Sequence, residues 1–135
     1  MGTDEQVISL DGDGSLLMNL GTVASIGREQ PKNLTVIVWD NEKWGQTGGQ
    51  TSHTATGTDL EQVAQSCSIT RTKTVSDLED LEAAITDALA SSEGPNFIVA
   101  KIEDIGGSTS VAPVEPEQTL YRFRNTFVEP RQPGD

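Results

Sequence analysis

The sequence predicts an α/β fold, a parallel sheet with helices on both faces, in the order β-α-β-(loop)-α-β-α-β-α. Short runs rich in β-branched residues, such as "NLTVIVWD" and "NFIVAKIE", alternate with stretches whose apolar residues recur at helical spacing. Two Ser/Thr-x-x-Glu signatures stand where helices should open. Alternation of this kind joins parallel strands by right-handed crossovers. With 135 residues there is room for one compact domain, so residues 1–135 read as a single unit.

The elements follow in order. Residues 6–10 (Gln-Val-Ile-Ser-Leu) read as a short buried strand. From Leu16 to about Glu29 a helix is predicted, with Leu16, Leu20, Val23, Ala24 and Gly27 on one face and Pro31 closing the segment. Residues 33–40 are nearly continuously apolar, as in a strand covered on both faces. Residues 41–58 show no periodicity, and a loop of that length inside a domain is usually functional. Thr58-Asp59-Leu60-Glu61 reads as a capping box opening a helix with Leu60, Val63, Ala64 and Cys67 on one face. Residues 68–75 alternate as a strand does. Ser76-Asp77-Leu78-Glu79 then opens a helix striped by Leu78, Leu81, Ile85 and Leu89 that stops before Gly94-Pro95. Residues 96–103 read as another buried strand, 104–117 as a flexible connection, and 118–129 as a terminal docking helix carrying Leu120, Phe123 and Phe127.

Composition narrows the function. Nine basic and twenty-one acidic side chains leave a net charge of −12, a field that repels nucleic-acid phosphates. The acids are scattered, as on a solvated surface; a salt-rich cytoplasm and an ordinary acidic protein explain them equally. A single cysteine, Cys67, excludes an intrachain disulfide and a thiolate cluster. No stretch has the length of a membrane span and no signal-peptide pattern is present, so the expected location is cytoplasmic.

In sheets of this class ligands bind beyond the carboxyl ends of the strands. Two such ends are the Gly12-Asp13-Gly14-Ser15 turn and the Trp39-Asp40-Asn41 junction. An EF-hand loop from Asp11 would need glycine and glutamate where Leu16 and Thr22 stand, a dinucleotide fingerprint would need glycine at Leu17, and no Gly-Lys-Ser/Thr is present. What survives is an acid flanked by glycines at a strand end, followed by a helix start. Helix starts attract phosphate, whereas Asp13 repels it unless a divalent cation lies between them. Magnesium suits such a place, being held by one or two carboxylates together with substrate phosphates. Between Gly14 and Asn41 lie 26 residues. A helix of about 13 residues descends roughly 20 Å, and a strand of about seven returns roughly 23 Å. Asn41 should therefore come back beside Asp13, with a loop carbonyl near Lys43 as a third oxygen.

Gly12-Asp13-Gly14 followed at this distance by Asn41 resembles the thiamine diphosphate motif of the 2-oxo acid decarboxylase superfamily. The stretches "GDGSLLMNLGTVASIG", "NLTVIVWDN", "TGGQTSHT" and "PVEPEQTLYRFRNTF" are similar to the sulfopyruvate decarboxylase β subunits and the matching half of the phosphonopyruvate decarboxylases, over about Val7 to Phe127. The resemblance implies a thiamine diphosphate-binding fold of the diphosphate (PP) type, shortened at its N-terminus. It implies that Asp13, Asn41 and the carbonyl of Lys43 hold Mg2+ on the cofactor. Gly12, Gly14, Ser15, Trp44 and Gly45 would complete the cofactor site, with Gly14 and Ser15 donating to the diphosphate and Trp44 packing the loop down. Thr47, Gly48, Gly49, Gln50 and Thr51 would form a substrate loop.

The implied activity is decarboxylation of a small anionic 2-oxo acid, sulfopyruvate or phosphonopyruvate, by a chain that needs a pyrimidine-binding α subunit and so works as a hetero- or homo-oligomer. Neither nucleic acid nor membrane is expected as a partner. Two other readings share the motif: the β chain of a 2-oxo acid:ferredoxin oxidoreductase, and a non-catalytic Mg-diphosphate binding module. His53, the only histidine, is the candidate for moving a proton or holding an anionic substrate group; an exposed loop histidine without a role is the simpler alternative. Ser15 reads equally as a helix cap.

Overall fold

The computed structural model describes residues 5–103 and 115–127. The chain divides into two units, residues 1–104 and 105–135. In the first, strands β1 (Val7–Gly12), β2 (Leu34–Asp40), β5 (Arg71–Val75) and β6 (Asn96–Lys101) form a parallel sheet in the order β1-β2-β6-β5. Helices α1 (Asp13–Met18), α2 (Gly21–Glu29) and α3 (Leu60–Ser66) contribute to one face, and α4 (Leu78–Ala90) covers part of the other. A small antiparallel pair, β3 (Lys43–Trp44) and β4 (Gln50–Thr51), stands apart from the sheet. The α/β class with helices on both faces is the one predicted.

The two faces follow from the strand period of two. Val36, Val38, Phe97 and Val99 point to one side and pack with Leu16, Val23, Leu60, Ala64 and Ile69. Ile37, Ile98, Ala100 and Val75 point to the other, against Leu81, Ala84, Ile85 and Ala88 of α4. Strands β2 and β6 are central and buried, as their unbroken apolar runs require. Gly27 lets α2 pack tightly on the end of α3, because a Cβ there would lie 1.7 Å from the Cys67 carbonyl oxygen. Cys67 itself is half-buried at the end of α3.

Several expectations are corrected. The first helix is two helices: α1 begins at Asp13, three residues early, and Asn19 leaves helical geometry (φ −135°, ψ 46°) before α2 starts. Ser15 is consequently inside α1 and exposed, so it is not a cap. The strand before it is an edge strand, with Ile8 and Leu10 exposed by 46% and 64%, rather than a buried one. The caps of α3 and α4 are Asp59 and Asp77, whose carboxylates accept from Gln62 and Asp80 N–H groups, one residue beyond Thr58 and Ser76. An aspartate in extended geometry at that place satisfies the free N–H as well as a hydroxyl does. Leu78 is 78% exposed, and the buried stripe of α4 is Leu81, Ala84, Ile85 and Ala88. The segment 41–58 is ordered into the β3–β4 pair and two 3-10 turns, Gly45–Thr47 and His53–Thr56.

In the second unit, helix α5 (Pro116–Phe127) exposes Leu120, Tyr121 and Phe123. Residues 104–114 of the expected connection, residues 128–129 of the expected helix and the Phe127 side chain lie outside what is described. Among the described residues no helix is long and apolar enough to cross a membrane.

Candidate functional site

The strand register decides which residues meet at the carboxyl edge of the sheet. Gly12 pairs with Trp39, and Asp40 with Lys101. Asp13 and Asn41 therefore follow directly from the ends of neighbouring strands, one opening α1 and the other leaving β2. The sequence spacing anticipated this return to a common edge.

Asp13 is buried, 2% exposed. Its Oδ2 accepts a short hydrogen bond from Ser52 Oγ and lies 3.2 Å from Thr54 Oγ1. Oδ1 accepts no hydrogen bond from the described residues. Thr54 Oγ1 also stands 2.8 Å from Ser52 Oγ and donates to Asp40 Oδ1 at 2.7 Å. Asp40, equally buried, accepts at both oxygens. Its Oδ1 also accepts the Glu42 N–H at 3.0 Å, and its Oδ2 pairs with Lys101 Nζ at 2.8 Å. Lys101 reaches Glu42 Oε1 as well, at 2.9 Å. Burial pulls the Lys101 ammonium down, but its bonds and attraction to Asp40 and Glu42 outweigh that and hold it above its ordinary value of 10.5.

The Asn41 amide oxygen accepts the Lys43 N–H at 3.1 Å, an Asx-type turn that leaves its second lone pair open. Trp44 lies against the start of α1, so that a Cβ on Gly14 would be 2.8 Å from its ring. A Cβ on Gly12 would meet nothing within 4 Å, and one on Gly45 would come no closer than 3.9 Å to Asn41 Nδ2. The edge is thus bare around Gly12 and closed by an indole at Gly14.

The expected substrate loop is exposed from Thr47 to Thr51. Gln50 folds back onto it, its Nε2 donating to the Thr47 carbonyl at 3.0 Å. Gly48 and Gly49 take φ of +123° and +75°, which glycine adopts without strain. His53 is exposed and meets Trp44 edge-on, ring centroids 6.2 Å apart.

Sequence reasoning missed Ser52, Thr54, Asp40 and Lys101 as members of this cluster. Only Asp40, a carboxylate ending a fully apolar run, carried a local signal. A cavity of about 210 Å³ adjoins the cluster, lined by Asp40, Thr54, Asp59, Thr74 and Lys101 among others. A larger one of about 320 Å³ lies at the amino ends of β5 and β6, away from these carboxylates, beside Arg71, Asn96 and Asp87.

Could this edge hold a cation? Among the described residues no three His, Cys, Asp or Glu side chains come together to hold a metal. A soft or thiolate-loving ion is therefore poorly served. A hard ion that takes one carboxylate, amide and carbonyl oxygens and the oxygens of its own ligand fits Asp13 Oδ1 and the Asn41 region. The residues present fit magnesium on a diphosphate.

Known proteins resemble the chain in sequence and in fold. Residues 1–100 match the family model described as the thiamine pyrophosphate enzyme, C-terminal TPP binding domain. The chain is 37% identical over 123 residues to sulfopyruvate decarboxylase subunit beta of Methanocaldococcus jannaschii, covering 91% of this chain and 64% of that one. It is 35% identical over 129 residues to phosphonopyruvate decarboxylase of Streptomyces hygroscopicus, covering 95% and 32%. Among solved structures, an enzyme of Mycobacterium smegmatis designated thiamin diphosphate-dependent superposes with a TM-score of 0.62 at 25% identity, covering 76% of this chain and 19% of that one. The chain thus spans about two thirds of the β-subunit relative and about one third of the phosphonopyruvate decarboxylase. On this evidence the chain belongs to the thiamine pyrophosphate enzyme family and carries its C-terminal TPP-binding domain.

Proposed function

We propose that this chain is the diphosphate-binding subunit of a thiamine diphosphate- and Mg2+-dependent decarboxylase acting on a small anionic 2-oxo acid, sulfopyruvate first and phosphonopyruvate second. The observation that carries the reading is Asp13, a buried carboxylate that follows the end of β1 as Asn41 follows the end of β2, with Oδ2 held by Ser52 and Oδ1 accepting no hydrogen bond from the described residues. The match to sulfopyruvate and phosphonopyruvate decarboxylases supports the choice of substrate.

In this reading Asp13, Asn41 and the Lys43 carbonyl hold the cation, and Gly12, Gly14 and Ser15 bring their backbone to the diphosphate. Bound thiamine diphosphate supplies a nucleophilic carbon and an electron sink for decarboxylation. The chain's own work is anchoring. Trp44 and Gly45 close over the helix start, and the segment Thr47–Thr51 with His53 forms the rim that an anionic substrate crosses. A pyrimidine-binding α subunit completes the catalytic site in a hetero-oligomer, as expected of a relative of proteins named subunit beta.

Titrating thiamine diphosphate with and without Mg2+ tests the binding part. Magnesium-dependent saturation is expected, and its absence removes the assignment. Adding a pyrimidine-domain subunit and following CO2 from sulfopyruvate, phosphonopyruvate and pyruvate tests the rest. Cofactor binding with no CO2 from any of them would leave a non-catalytic Mg-diphosphate module.

A further inference from the structure

We infer that Ser52 and Thr54 are positioning residues for Asp13, fixing which of its oxygens is presented to the cation. This rests on the diphosphate-binding reading above and adds to it residues outside the proposed ligand set. A carboxylate on a single-bonded stem can turn either oxygen outward. Here the Ser52 hydroxyl donates to Oδ2 and Thr54 Oγ1 stands beside the same oxygen, leaving Oδ1 as the one that accepts no hydrogen bond from the described residues.

The support is itself supported. Thr54 has one proton to give, and its closest carboxylate oxygen is Asp40 Oδ1 at 2.7 Å, against 3.2 Å to Asp13 Oδ2. It therefore stands between two buried carboxylates, giving its proton to Asp40 and leaving Ser52 as the donor to Asp13. Asp40 is the poorer ligand for a cation, because Lys101 offsets its charge and Lys101, the Glu42 N–H and Thr54 already take three of its lone pairs. The two carboxylates are thus divided in role: Asp40 anchors the Thr54 hydroxyl, and Asp13, held by Ser52, keeps one oxygen for a cation.

Local backbone explains why these two positions serve. The Ser52 N–H donates to the Glu42 carbonyl at 2.8 Å, which pins the chain as it leaves β4. Ser52 is extended (φ −83°, ψ 170°) and its Oγ receives the Thr54 N–H at 3.4 Å. Ser52 and Thr54 consequently turn inward, 1% and 8% exposed, while His53 between them turns out. Outer-shell partners of metal ligands are commonly worth about 10–100-fold in metal affinity.

The experiment titrates Mg2+ into the full chain at fixed thiamine diphosphate, read by tryptophan fluorescence and calorimetry, with thermal melting to follow the fold. Thr54→Val and Ser52→Ala are each expected to raise the Mg2+ concentration for half-saturation by about 10–100-fold. Thr54→Ser, which restores the hydroxyl, is expected to stay within about threefold of wild type on the same scale. Folded variants that melt lower but keep the wild-type Mg2+ dependence would show a packing role only and overturn the proposal. Should Thr54→Val not fold, Ser52→Ala decides by the same criterion, since it leaves the Thr54–Asp40 bond in place. A wild-type chain that binds no cofactor at any Mg2+ concentration would instead defeat the diphosphate-binding reading itself.

Discussion

Gly14 and Trp44 are in contact so close that the glycine has no room for a side chain: an added Cβ would lie 2.8 Å from the indole Cε3. The contact locks the β3–β4 segment onto the start of α1, and with it the loop that carries Asn41 at one end and Ser52 at the other. Gly14→Ala must push the indole aside. Overpacking of this kind costs about 1–3 kcal/mol. A lowered melting temperature and a shifted tryptophan emission are expected, and Gly14→Ala combined with Trp44→Leu should recover part of the stability. An unchanged melting curve in Gly14→Ala would mean that the contact does not exist in solution.

Asp13→Asn should separate function from stability. The amide keeps the shape and can hydrogen-bond the Ser52 and Thr54 hydroxyls, while one of two neighbouring buried negative charges is removed. The expected outcome is a melting temperature at or above wild type together with loss of Mg2+-dependent thiamine diphosphate binding by at least about 100-fold, as removal of a ligating carboxylate implies. Calorimetric titration and thermal melting of the same preparation check both halves.

The Lys101–Asp40–Glu42 cluster should leave a signature at high pH. Lys101 is held charged above 10.5, so its contribution to stability is complete below 10.5 and is lost as pH rises through its higher folded value. Lys101→Met leaves Asp40 buried without its counter-charge. The expected loss near neutrality is roughly 2 kcal/mol, below the about 3–5 kcal/mol of a fully buried pair, because the lysine is 35% exposed and Thr54 still donates. Denaturant midpoints of wild type and variant, measured from neutral pH upward, should converge only above 10.5.

At the acid end the group to follow is Asp59, the cap of α3. Hydrogen bonds from the Gln62 backbone and side chain hold its carboxyl below the ordinary 3.8. Its contribution is therefore present above 3.8 and fades as pH falls through the lower folded value. Asp59→Ala should cost about 1 kcal/mol at neutral pH, whereas Thr58→Ala, one residue before the cap, should cost a few tenths at most. Equal losses in the two variants would restore Thr58 as the cap.

Much of this protein was readable before any coordinates. Leu60, Val63, Ala64 and Cys67 recur at helical spacing because one stripe must be buried, and they do pack on the sheet. The run from Val36 to Trp39 is apolar without interruption because β2 lies between two strands and two layers. That Asp13 and Asn41 follow neighbouring strand ends at one edge was legible because a crossover must return to the edge it left. Misplaced caps and the broken first helix had a local cause: adjacent residues, Thr58 and Asp59 or Ser76 and Asp77, are equally able to cap, and one-residue choices depend on how the chain arrives.

The sequence by itself determined the layer order, the buried central strands and the strand ends at which chemistry gathers, since these follow from periodicity and length. Tertiary structure alone decided the polar cluster. Asp13, Asp40, Ser52, Thr54 and Lys101 are scattered over nearly ninety positions, about 88 apart from first to last, and no short-range pattern links them. They meet because parallel register sets Asp40 level with Lys101 and because the β3–β4 segment folds back over the ends of β1 and β2. A buried carboxylate takes its role from the donors around it, and those donors arrive only when the chain has closed.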